Sequence, residues 1–337
     1  MAANVNIITR SNAEALIPTT VANEIISGVT ETASVLQLMR RLPNMTAKQH
    51  KLPVLSALPM AYFVDGDTGQ KQTTKAEWEN ITLTAEEIAC IVPIPEAVLA
   101  DASYDIFAQI KPLIVSAFND VIQKAILTGT NIPMSWGEAI IPSAIAAGNV
   151  VTLGTNEDVA GDIIGVDGVM AQVENDGFNV NGFFADNTMK PMLRNLRNSN
   201  NTPIYVNSVA TGSPSTLLGI PVNYNNSGLF DKSQALMLAG DFTKAVYSIR
   251  EDITYKVLSE AVIQNPDGTI AYNLAQQDMV ALRCVMRLGV AVANPLTKAN
   301  NVKATRYPFA VLAPKDELTD ELTDEPTDEP TAGETEV

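Results

Sequence analysis

Apolar positions fall into segments of different period along the chain. Residues 1–19 are polar, mixed and without period, which predicts an extended arm. Val21, Ile25, Ile26 and Val29 then recur at helical spacing, and Pro18 is suited to the first turn of that helix. A second apolar group, Val35, Leu36, Leu38 and Met39, closes at Arg40, Arg41 and Pro43. Helical spacing disappears over 45–80, where Pro53, Pro59, Gly66 and Gly69 punctuate the run and 65–75 is polar. That pattern predicts a long hairpin with a mobile tip. Loops of such length in a folded domain usually have a use. Ile81, Leu83 and Ala85 alternate with Thr82 and Thr84, so a strand returns and continues over 88–94.

A helix is predicted next, capped by Asp101 or Ser103. Ile106, Ile110, Ile114, Phe118, Val121, Ile122 and Ala125 form its apolar face, and Gly129 ends it. At about 1.5 Å per residue, roughly 24 residues make a rod near ~36 Å. Pro112 falls inside and predicts a kink or a restart. From 136 to 247 the pattern is mixed: helices at 162–175 and 187–197, buried strands at 182–185 and 220–223, further strands at 236–238 and 244–248. Two strands close the pattern, 252–258 and 278–294, joined through a turn at Asn265-Pro266-Asp267-Gly268. In the last strand Arg283 and Arg287 interrupt an apolar run and must find partners.

Charge changes the picture at one end. The chain carries a net charge of −16 from 38 acidic and 22 basic residues. Ten of those acids and no base lie in 316–337, leaving 28 acids against 22 bases in the body. The last segment repeats Glu-Leu-Thr-Asp at 317 and 321 and Glu-Pro-Thr at 325 and 329. Such a segment cannot offset its ordering entropy and is predicted to be disordered and solvated. The body is only mildly acidic and offers no basic patch, which argues against sequence-specific nucleic-acid recognition. Two cysteines, Cys90 and Cys284, exclude a disulfide framework and are expected as buried free thiols in a reducing cytosol. No signal peptide or membrane-spanning run is seen, so a soluble protein made in the cytoplasm is expected.

Candidate chemistry is sparse. His50 is the one histidine, so a triad or a His-ligated zinc site would have to use it, and a half-exposed hairpin residue is the expectation. G-x-S-x-G, a glycine-rich phosphate loop, H-E-x-x-H and C-x-x-C are all missing. Asp65-Gly66-Asp67 lacks the other ligands of a calcium loop and is expected as a turn. Arg283 and Arg287 are expected to pair with carboxylates at domain or subunit contacts rather than to bind an anion. Trp78 and Trp136 are expected to pack at the hairpin base and the helix exit, and Asp241 to be a turn residue. No catalytic, cofactor or metal residue is assigned.

The ordered set of segments resembles the major capsid proteins of tailed double-stranded DNA phages, those with the Hong Kong 97 fold. The resemblance runs up to about Pro314 and is carried by order rather than by one motif. Ile17-Pro18 resembles the segment after the family's N-terminal arm. Ala61-Tyr62-Phe63-Val64-Asp65-Gly66 resembles its extended E-loop, with Asp65 where many relatives have glutamate and Phe63 where tryptophan is usual. Leu99-Ala100-Asp101 and Leu127-Thr128-Gly129 resemble the entry and exit of the long spine helix of the peripheral (P) domain. Leu217-Leu218-Gly219-Ile220-Pro221-Val222 and Leu238-Ala239-Gly240-Asp241-Phe242 resemble the axial (A) domain, and Arg283 to Pro295 the returning P-domain strand.

The resemblance implies an α+β Hong Kong 97-like capsid fold. Its parts would be an arm and helix at 1–44, an E-loop at 45–80 and a P-domain with spine helix at 81–134. An A-domain at 135–250, returning P-domain strands and a C-terminal segment at 251–314, and an acidic tail at 315–337 follow. It implies a structural subunit, not an enzyme and without cofactor, that forms pentamers and hexamers tiling an icosahedral shell around phage DNA. Asp65, Lys71, Lys75, Arg283 and Arg287 are the expected intersubunit contacts. Lys71 and Lys75 stand near the hairpin tip, where some relatives form lysine–asparagine isopeptide bonds. Many relatives carry a scaffolding region before the arm; here the arm begins near Met1, which favours a separate scaffolding protein, beside a portal and decoration proteins. Assembly in the host bacterial cytoplasm, a virion location without membrane contact, and an acidic tail on a shell surface, the outside slightly favoured over the inside, are expected. The competing expectations are an encapsulin compartment of the same fold and an α/β metabolic enzyme with a deep titratable pocket.

Overall fold

Two sheets and one long helix carry the fold. The structure is a computed structural model that describes residues 35–59, 61, 63, 70–71, 73–102, 105–156, 158–196, 216–225 and 228–315. The predicted arm and its helix, the hairpin tip with Asp65, and the acidic segment from 316 onward lie outside the described residues.

The chain begins with α1 (Val35–Leu38), β1 (Arg40–Arg41), the hairpin strands β2 (Gln49–Ala57) and β3 (Glu77–Thr84), β4 (Glu86–Pro95) and α2 (Glu96–Asp101). The long helix α3 (Ile106–Thr128) follows, then α4 (Ile140–Ala147), β5 (Val150–Thr152), α5 (Val159–Ile164), α6 (Val169–Asn175), β6 (Gly182–Asp186) and α7 (Met189–Arg194). β7 (Thr216–Leu217), β8 (Ile220–Asn225), β9 (Met237–Gly240), β10 (Ala245–Leu258), β11 (Val262–Gln264), β12 (Ile270–Asn273), β13 (Met279–Val292) and β14 (Phe309–Ala313) complete it. One sheet has four strands in the order β1-β10-β13-β4 and the other six in the order β5-β14-β9-β6-β8-β7, beside the hairpins β2-β3 and β11-β12.

Asp105, not Asp101 or Ser103, caps α3, its carboxylate accepting the Ala108 N–H at 3.2 Å. Asp101 instead ends α2, and Ser103 lies outside the described residues. The 23 residues of α3 run through Pro112 without a restart and stop at Gly129, whose φ of 79° suits a residue without Cβ. Ile114, Phe118, Ile122 and Ala125 are buried as their spacing predicts, but Val121 is 47% exposed.

The predicted helix at 162–175 is two helices. Gly165 is extended (ψ 175°), and a Cβ there would sit 2.4 Å from the Gly161 carbonyl oxygen. The Asp162 side chain is buried and accepts the N–H groups of Gly154 and Asn156, at 2.7 and 2.8 Å. The expected strands at 244–248 and 252–258 are one strand, β10, with register shifts near Glu251 that absorb the change of period. β14 has no counterpart among the sequence expectations. It pairs with β5 on one side and β9 on the other.

Alternation along β6 sends neighbours to opposite faces. Phe184, with Leu238 and Val311, joins a core that includes Ile114, Phe118 and Ile122 of α3 and Leu282, Cys284, Met286 and Leu288 of β13. Phe183 and Ala185, with Ala239 and Leu312, join a second core against α5, α6 and α7. The six-stranded sheet is thus covered on both faces, whereas β13 turns Arg283 and Arg287 away from the core.

Candidate assembly surfaces

The β2–β3 hairpin is held at its base and bare further out. Its register runs from Gln49 opposite Thr84 to Ala57 opposite Glu77. Leu83 is fully buried with Leu42 and Met45, and Leu52 and Ile81 pack on that cluster. The Leu296 N–H donates to the Leu55 carbonyl at 3.1 Å, Lys303 pairs with Glu79 at 2.8 Å, and Trp136 Nε1 donates to the Thr84 carbonyl at 3.0 Å. Trp136 therefore packs as expected. Trp78 does not: it is 67% exposed, and Phe63 beyond it is fully exposed. Large apolar groups left in water at the far end of an anchored hairpin are surface that another chain can cover.

Lys71 and Lys75 are both exposed on this excursion. Lys75 pairs with Glu77, whose hydrogen bond and charge raise its pKa. Arg283 and Arg287 lie instead on the outer face of the four-stranded sheet. Arg287 donates from Nη2 and Nε to Glu87 Oε2, at 2.6 and 2.8 Å, and its Nη1 is 3.3 Å from Glu251 Oε2. The hydrogen bond to Glu87, and then its charge, raise the guanidinium pKa. Its partners come from the two flanking strands of its own sheet. Arg283 sits between Lys256 and Ile91 in register, is exposed, and has no ion pair among the described residues. A like charge directly opposite is repulsive. One subunit therefore does not bring the hairpin lysines and the sheet arginines together.

Cys90 and Cys284 face each other across β4 and β13 and are free. Burial pushes both thiols up, Cys284 to about 11. A second buried centre gave no sequence signal. Asp176 accepts from Asn149 Nδ2, Asn300 Nδ2 and the Tyr307 N–H at 2.7–2.9 Å. Arg306, buried, donates to Asn294 Oδ1 and the Asn300 carbonyl. Together they fix the loop between β13 and β14. Asp241 is a turn residue as expected, accepting from Asn181 Nδ2 at 2.9 Å and from the Thr243 N–H. Among the described residues no cluster of His, Cys, Asp and Glu is arranged to hold a metal, and no helix is long and apolar enough to cross a membrane.

The sequence model of the phage capsid family matches residues 13–298. The chain is similar to the major capsid protein of Staphylococcus phage 80alpha, 29% identical over 287 residues, 84% of this chain and 83% of that one. It is also similar to a solved structure from Microbacterium phage Oxtober96, with TM-score 0.76 and 36% identity over 91% of this chain and 99% of that one. One from Mycobacterium phage Adephagia aligns with TM-score 0.75 and 27% identity over 92% and 98%. The overall fold is thus shared with phage proteins over nearly their full length. The chain belongs to the phage capsid family, and its role is structural, a subunit of the capsid shell rather than an enzyme.

Proposed function

We propose that the chain assembles as pentamers and hexamers into an icosahedral shell of Hong Kong 97 type around double-stranded phage DNA. In this reading 1–44 is the arm and its helix, 45–80 the E-loop, and 135–250 the A-domain. The P-domain is formed by 81–134 with the spine helix and by the returning strands of 251–314, and 315–337 is an acidic tail. The observation that carries it is the hairpin: its base is tied to its own subunit by Leu296, Lys303 and Trp136, and its outer part exposes Trp78 and Phe63. Such a strap has no use on a monomer. In a closed lattice, many weak contacts of this kind add up. Asp65, Lys71, Lys75, Arg283 and Arg287 are the proposed contact residues, with Arg283 the one whose charge needs an acid from a neighbour. A separate scaffolding protein, a portal and decoration proteins are the proposed partners, and the host cytoplasm the site of assembly.

The test is expression of the full chain with its scaffold, followed by size-exclusion chromatography and electron microscopy. Megadalton shells or capsomers are the expected result, and particles from infected cells should contain DNA. A clean monomer or dimer under all assembly conditions overturns the proposal, and particles loaded with a protein cargo favour a compartment of the encapsulin kind.

A further inference from the structure

Three cations gather at one edge of the six-stranded sheet. β6 and β8 run parallel, and β9 runs antiparallel to both β6 and β14, so β6, β8 and β14 all end at the same edge. Just beyond that edge lies an open depression of about 450 Å³ whose walls include Asp186, Thr188, Lys190, Arg194 and Lys232. Lys190 Nζ lies over the Tyr224 ring, 4.8 Å from its centroid, and Arg194 Nε donates to the Lys190 carbonyl at 3.4 Å. Lys232 Nζ is 3.6 Å from Asp186, whose buried carboxylate already accepts the Thr188 N–H. One acid thus faces three bases, a local surplus of positive charge in a chain whose net charge is −16. Thr188 Oγ1, on the same wall, is buried and has no hydrogen-bond partner among the described residues.

The same edge is where β14 leads out. Leu312 pairs with Met237 and Met237 with Ala185, so β14 and β6 are two strands apart, about 10 Å at the usual strand spacing. After Ala313 only Pro314 and Lys315 precede the segment 316–337 with its ten acids and no base. Eight of its ten acids come as Asp-Glu pairs beginning at Asp316, Asp320, Asp324 and Asp328.

We propose that the acidic segment 316–337 docks on this depression of its own chain, its Asp-Glu pairs acting as counter-charges to Lys190, Arg194 and Lys232. Reach is no obstacle. An extended chain covers about 3.3–3.6 Å per residue, so the whole segment can reach far beyond the spacing between β14 and β6. A tether this short holds the acids at an effective concentration on the order of millimolar. Four equivalent pairs can exchange on one site. The Arg194 fork matches a carboxylate, and the lysines add point charge. Docked, the segment occupies the basic spot that would otherwise be open to nucleic-acid phosphate. The docking does not depend on how subunits tile and is measured on the chain before assembly, so it stands or falls apart from the proposed shell.

The experiment is zero-length carbodiimide cross-linking of a mixture of unlabelled and ¹⁵N-labelled full-length chain, read by mass spectrometry. Expected are cross-links from Lys190 or Lys232 to acids of 316–337, within one isotope only, that fade at about 1 M salt. Arg194→Glu leaves both lysines in place and should lower their yield by at least about threefold; Arg194→Gln should lower it less. Three results overturn the proposal. They are no cross-link to these lysines, mixed-isotope links that place the segment on another copy, or a yield indifferent to Arg194→Glu.

Discussion

Arg287 on β13 donates two hydrogen bonds to one carboxylate oxygen of Glu87 on β4, 200 residues away along the chain. Glu251 approaches the same guanidinium from β10, so a single cation spans three adjacent strands. The group is 40% exposed, and water and salt screen it.

Arg287→Ala should therefore lower subunit stability only slightly. The check is urea unfolding at low salt and at about 1 M salt, where the difference should shrink. A large, salt-independent loss would show that the triad behaves as a buried one.

The Cys284 thiol, pushed up to about 11 by burial, is protonated in the folded chain at pH values where the unfolded chain has begun to ionise. The unfolded state binds fewer protons there, so stability is full below about pH 8.5 and falls as pH rises from there toward 11. Cys284→Ala should flatten that part of the melting-temperature profile. Alkylation of Cys284 in native subunits at pH 8 should be slow, because little thiolate exists and access is closed.

Gly240 has no room for a side chain. A Cβ there would lie 2.3 Å from the Phe309 ring and 2.5 Å from the Pro308 carbonyl oxygen. Gly240→Ala should destabilise by about 1–3 kcal/mol or more, since β9 and β14 must part to admit the methyl. Denaturant unfolding measures it, and a neutral result would mean that β14 is loosely held.

Leu218 adopts φ 51° beside Gly219 at φ 81°, in the tight turn between β7 and β8, and its side chain is exposed. Asparagine tolerates this region far better than leucine. Leu218→Asn should raise stability by about 0.5–1 kcal/mol, read as a higher melting temperature.

Replacing 65–75 with a short glycine-serine turn should leave the subunit folded, because the hairpin base is anchored by contacts outside that stretch. Shells should not form. Circular dichroism and electron microscopy are the paired measurements, and normal particles from the variant would remove the strap from the assembly mechanism.

Periodic features were legible before any tertiary structure. The spacing of Ile114, Phe118 and Ile122 and the stop at Gly129 define α3, because an amphipathic helix needs only local rules. The strand around Ile81 and Leu83 emerged, but Leu83 and Thr84 are both buried and it breaks at Ala85, β3 pairing with β2 and β4 joining the four-stranded sheet. A turn emerged at Asn265-Pro266-Asp267-Gly268, but it closes the separate hairpin β11–β12 instead of joining β10 directly to β13. The family resemblance rested on the order of such segments. What local pattern could not supply was partnership. The five apolar residues of β14 become a central strand only because β5 and β9 leave a slot between them. Asp176 and Arg306 look like ordinary surface residues in sequence and are buried because the loop after β13 folds back over α6. Which acid meets Arg287, and that β14 and β6 end at the same edge of the sheet, follow from strand order and direction. The chain's periodicity selected its elements through short-range sterics and burial. Their neighbours were chosen by long-range closure of the sheets, a condition that no window of sequence contains.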